Sequence, residues 1–141
     1  LRSRKGERTE RVERVERARA YLNQSCKYLE NAFKAFKDGE PEKVGEFLWG
    51  SVATALKALV MAMKGVEVKS HGQLWEIARE LVRETNDPSI YEAFKEANFL
   101  HSNFYEFQLS LDDIKNSAVK IEQLVKKLKN LTEKAIKEGE A

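Results

Sequence analysis

Between Val12 and Phe36 the side chains Val12, Val15, Arg19, Leu22, Cys26, Leu29, Phe33 and Phe36 alternate steps of three and four, with Arg19 the single charged member. That spacing returns each side chain to one stripe of an α-helix. A strand, whose period is two, would scatter them over both faces. The pattern predicts a long first helix from about Thr9 to Asp38, stopped by Gly39. Arg19 breaks the stripe, so the first turns are expected to project beyond the core, where the guanidinium reaches water.

The rest of the chain reads the same way. Pro41 suits the first turn of a second helix running to about Lys64, with Val44, Phe47, Leu48, Val52, Leu56, Leu59, Val60 and Met63 on its apolar face and Gly65 as its stop. Gly50, Ser51, Ala53 and Ala55 are small enough to let another helix come close. Val66-Glu67-Val68 is β-like but has no second strand to pair with, so it reads as a connector. Ser70 followed by Gln73 forms a capping box for a shorter third helix. Asp87-Pro88 caps and starts a fourth, carrying Ile90, Phe94, Ala97, His101 and Phe104. Ser110 and Asp113 begin a fifth, with a Lys-rich end suited to the negative pole of its dipole. The expected fold is all-α: an up-and-down bundle of four longer helices and one short one.

A chain of 141 residues suits one domain, here residues 9–141 after a basic arm at 1–8. The net charge of +2 is too small to imply nucleic acid by itself, but residues 1–20 hold eight Arg or Lys against four Glu. Arg11 and Arg14 in this stretch are candidate phosphate contacts. The alternative is a solvated helix start of alternating charge. The single cysteine, Cys26, excludes an internal disulfide and sits on the apolar stripe as a small core residue. No segment reads as a signal peptide or a membrane span, and a cytoplasmic location is expected.

Few motifs carry chemistry. Gly45 to Ser51 has the outline of a phosphate-binding loop, but it lacks the lysine and falls within a helix. A metal site needs three or four converging ligands, and neither His71 nor His101 has a nearby Cys or His, so no metal or cofactor is expected. His71, in the first turn of a capped helix, has a local explanation. His101 stands out, because Phe94, Ala97, His101 and Phe104 step by three, four and three, which turns the imidazole inward. Lys95 and Asn98 lie within two turns before it and Tyr105 one turn after. Such a group could move a proton to or from a ribose oxygen. The alternative is a half-buried histidine satisfied by a neighbouring carbonyl or carboxylate.

Three segments carry a family resemblance: Phe47-Leu48-Trp49-Gly50-Ser51-Val52-Ala53 with Lys57-Ala58-Leu59; Lys69-Ser70-His71-Gly72-Gln73-Leu74; and Leu100-His101-Ser102-Asn103-Phe104-Tyr105-Glu106. Over about residues 20 to 130 the chain resembles the archaeal paREP-type branch of the HEPN (higher-eukaryote and prokaryote nucleotide-binding) superfamily. The resemblance implies a homodimeric bundle that binds nucleotide, RNA or a partner protein, with Lys57 and Asn103 as binding candidates. It also implies a nucleotidyltransferase-like protein as a partner. In many such proteins an Arg, a polar residue and a His form a metal-independent ribonuclease site across the dimer. His101 matches that histidine. The Arg is absent: with four, five or six intervening residues the position is Glu96, Lys95 or Phe94. Lys95 keeps the charge but not the two-pronged donor. The resemblance therefore implies a degenerate, binding HEPN-like domain, with a His101 ribonuclease aided by Lys95, Asn98 and Tyr105 as the alternative. A third reading is a helical interaction protein with no role in nucleic-acid binding.

Overall fold

Five helices follow one another in the computed structural model of the chain: α1 (Arg4–Lys37), α2 (Pro41–Lys64), α3 (His71–Thr85), α4 (Ser89–Phe107) and α5 (Leu111–Glu140). The backbone is described for residues 4–107 and 109–140, and side chains for Gly6, 9–102 and 109–139. Among these residues there is no strand, and the 15-residue α3 is the shortest helix, so the all-α bundle of four longer helices and one short one is what the chain forms.

The local signals that start and stop each helix are realised. Gly65 ends α2 in the left-handed conformation, φ 67°, with its N–H donating to Met61 O. Ser70 and Gln73 complete a reciprocal capping box at α3. Asp87 Oδ1 accepts from the N–H of Ser89 at 3.1 Å. Ser110 and Asp113 exchange caps at α5: Asp113 Oδ2 accepts from Ser110 N at 2.8 Å, and Ser110 Oγ from Asp113 N at 3.3 Å. Each such cap satisfies N–H groups that a helix start leaves orphaned, and is worth about 1 kcal/mol.

α2 is the central helix and touches all four others. Val44, Leu48, Val52, Leu56 and Leu59 are almost wholly buried on it. Burying one leucine of this kind contributes about 1.5–3 kcal/mol. α2 is also long and apolar enough to cross a membrane, but 78% of that window is buried inside the bundle, as a core helix requires. Phe94 and Leu100 of α4 and Ile114, Ile121 and Leu128 of α5 close the core around it.

α1 departs from its expected stripe. It begins at Arg4 rather than Thr9, and Val12 and Phe33 are exposed at 51% and 41%. Its most deeply buried residues are Ala18, Leu22, Ser25, Ala32 and Ala35, while Val15, Leu29 and Phe36 of the expected stripe pack against the core from its edge. Small residues win because α1 and α2 lie close together: Ser25 Oγ donates to Ser51 O at 2.7 Å, and Ser51 Oγ donates to Ser25 O at 2.9 Å. A side chain at Gly50 would meet the Tyr28 ring at 3.2 Å. The core also runs a turn past Arg19, since Ala18, Met61 and Ile136 form a second buried cluster. Arg19 is not left to water alone; it pairs with Glu133 of α5 at 3.4 Å.

The connector after α2 is held by its acid. Glu67 accepts from Arg17 at 3.2 Å and from the Tyr21 hydroxyl at 2.5 Å. The bond to this carboxylate, with burial, raises the Tyr21 hydroxyl above its ordinary range.

Candidate functional site

α3 and α4 fold back on each other at Asp87. His71 lies sixteen residues before that turn and His101 fourteen after it, so an antiparallel pair brings the two levels together. Both meet the same ring. The imidazole of His101 stacks on the indole of Trp49, with centroids 5.6 Å apart and planes 15° apart. His71 meets that indole edge-on at 5.5 Å and 79°. Trp49 itself is 6% exposed, while both histidines are exposed.

This corrects the sequence expectation for His101. The inward face of α4 is Ile90, Ala93, Phe94, Ala97 and Leu100. His101 sits at the edge of that face and presents its imidazole to solvent. His71, explained locally by its helix start, is part of the same cluster.

The aromatic contacts continue inward and along the α3–α4 seam. Trp49 packs on Phe94 at 5.6 Å, Phe94 on Trp75 at 4.7 Å, and Trp75 on Tyr91 at 5.8 Å. His71 and Trp75 are one turn apart on α3. The Lys95 ammonium lies over the Tyr91 ring, 5.2 Å from its centroid. Lys95 is therefore engaged at the far end of the aromatic row and forms no hydrogen bond or ion pair with His101. Asn98 is half-buried, and it too has no hydrogen bond to His101 among the described residues. Tyr105 and Asn103 belong to α4, but their side chains lie outside the described ones.

Lys57 is half-buried on α2. Lys57 lies eight residues on from Trp49, about 12 Å along α2 and rotated about 80° from it. No carboxylate pairs with it among the described residues. Arg11 and Arg14 stand elsewhere. They line a groove at the other end of α2, where the Arg14 guanidinium packs on Gly65. Gly65 is sixteen residues from Trp49, about 24 Å of helix. The expected binding residues thus fall into two separate places. No three His, Cys, Asp or Glu residues gather to hold a metal among the described residues.

Residues 20–125 match the family model for the archaeal PaREP1/PaREP8 family. The chain belongs to this family. The matched PaREP span contains Trp49, Lys57, His71, Lys95 and His101, and excludes Arg11 and Arg14. No curated protein and no solved structure matches the chain.

Sequence reasoning missed Trp49 as the centre of the site, together with Trp75 and Tyr91. The signal that could have found it is the near-equal spacing of the two histidines about Asp87. The identity of the ring between them depends on how α2 packs across the pair.

Proposed function

We propose that this PaREP chain is a non-catalytic, HEPN-like domain that binds a nucleobase-bearing ligand, a nucleotide or single-stranded RNA, on the His101 platform. The observation that carries the reading is an exposed imidazole stacked on a buried indole. The indole fixes the orientation of the imidazole, and on this reading a base stacks on that exposed ring. His71 borders the same platform. Lys57, two turns farther along α2, is the positive charge this reading assigns to phosphate.

The geometry favours binding over cleavage. A histidine that moves a proton needs a second group converging on the reacting atom. The expected electrostatic partner, Lys95, is held over Tyr91 instead. The same reading takes the domain as a homodimer.

The test is fluorescence anisotropy of a labelled single-stranded RNA, with a gel of the same sample incubated in chelator. Binding that weakens about tenfold or more in His101→Ala, with the RNA left intact, supports the reading. Cleavage by the wild type that His101→Ala abolishes would replace it with the ribonuclease alternative. A monomer by light scattering at micromolar concentration would remove the dimer.

A further inference from the structure

A concavity elsewhere in the molecule is unrelated to Trp49. It is a groove of about 670 Å³ between the first half of α1, the end of α2 and the end of α5. That volume is in the range of small-molecule sites. Its lining has two kinds of surface. Val15, Met61, Ala62, Ala135 and Ile136 supply an apolar floor. Arg11, Arg14 and Arg17 project from successive turns of α1 along one wall.

The three arginines are not equivalent. Arg17 is taken up by Glu67 at 3.2 Å. Arg14 lies against Gly65 at the end of α2, and neither Arg14 nor Arg11 has a carboxylate within ion-pair distance among the described residues. Two guanidiniums beside an apolar floor lack an anion. Glu10 and Glu13 also line the groove, so with Arg17 paired to Glu67 the lining sets two arginines beside two carboxylates. A polyphosphate or a nucleic-acid backbone would meet those carboxylates as well as the arginines. Arg11 and Arg14 are three residues apart on α1, so one small charged head can meet both.

We propose that this groove binds a small amphiphilic anion, with Arg11 and Arg14 holding a single charged head and Val15, Met61, Ala62 and Ile136 holding an apolar tail. The site is independent of the His101 platform, because it lies at the opposite end of α2, and its arginines precede the family match.

Calorimetric titration of the full chain with decanoate below its micelle concentration tests both halves of the proposal. Decanol keeps the tail without the charge, and acetate keeps the charge without the tail. Decanoate is expected to bind at least about tenfold more tightly than either. Arg11→Gln is expected to weaken decanoate about tenfold by removing one guanidinium, and Ala62→Trp to abolish binding by filling the floor. Arg11 is exposed and away from the core, so its replacement leaves the helix content unchanged by circular dichroism and keeps the test sound if Ala62→Trp fails to fold. Three results overturn the proposal: no decanoate binding, decanol or acetate binding as tightly, or Arg11→Gln and a folded Ala62→Trp both leaving decanoate unaffected. A dimer that Ala62→Trp converts to monomer by light scattering would assign the groove to a second copy of the chain and also overturn it.

Discussion

The imidazole of His101 lies nearly parallel to the indole of Trp49, 5.6 Å away between centroids. One ring is in the core and the other in solvent, so the pair joins the packing of the bundle to its surface. Offset stacking of this kind adds about 0.5–1.5 kcal/mol beyond burial. The orientation of the exposed ring is thus set by a residue the ligand need not touch.

Stability and binding should therefore separate between these two positions. Trp49→Ala removes a buried ring and is expected to cost about 3–5 kcal/mol in urea denaturation. His101→Ala is expected to cost about 1 kcal/mol or less, yet to lose RNA binding. Equal losses of stability in both variants would mean that His101 is a packing residue and nothing more.

The capping box at Ser70 positions His71, the next residue, against Trp49. Ser70→Ala removes the side chain that accepts from Gln73 N at 3.2 Å and should cost about 1 kcal/mol. It should also weaken RNA binding by loosening the first turn of α3. The comparison is Ser110→Ala, which removes the equivalent cap of α5, a helix that contributes no ring to the Trp49 cluster. Similar stability loss with unchanged RNA affinity is expected there; parallel affinity losses in the two variants would contradict a role for the α3 start.

Much of the fold was legible because its signals are local. Pro41, the Ser70–Gln73 pair, Asp87 and the Ser110–Asp113 pair act within one helical turn, and each marks its helix start where expected. The inner face of α1 was legible only in part, at Leu22, Leu29 and Phe36. Hydrophobic size points to Val12 and Phe33, whereas the close α1–α2 crossing selects Ala18, Ser25, Ala32 and Ala35. His101 stood out in the sequence by its rarity, but its exposure was not legible, because Leu100 and Ala97 already fill the inward face. The meeting of His71 with His101 depends on tertiary packing of α2 across α3 and α4.

Glycine substitutions separate backbone strain from contact. Gly39 and Gly65 both have positive φ, 71° and 67°. A Cβ at Gly39 meets nothing within 4 Å, whereas one at Gly65 falls 2.5 Å from an Arg14 nitrogen. Gly39→Ala should cost about 1 kcal/mol for the left-handed backbone alone. Gly65→Ala should cost more, and Arg14→Ala should recover the difference. Equal losses in the two glycine variants by thermal denaturation would show that Arg14 does not rest on Gly65 in solution.

Acid should release one tether between α4 and α5. The hydrogen bond from Lys127 at 2.6 Å, and after it that from Ser89, lower the Asp87 carboxyl from its ordinary 3.8 to about 2. A lowered folded-state value means the contribution is complete above 3.8 and is lost as pH falls through about 2. The pair is solvent-accessible, so it is worth about 1 kcal/mol or less. The stability gap between wild type and Asp87→Asn should shrink between about pH 4 and pH 2 in urea titrations. A gap that stays constant over that window would exclude an ionised Asp87 as its source.

The site claim is tested most directly by the emission of Trp49 itself. In a Trp75→Phe background Trp49 is the only tryptophan. Titration with single-stranded RNA should change its emission in a saturable way, and the same titration of the His101→Ala derivative should leave it flat. An emission change of equal size and midpoint in both proteins, or none in either while anisotropy reports binding, would place the ligand away from His101 and contradict the account.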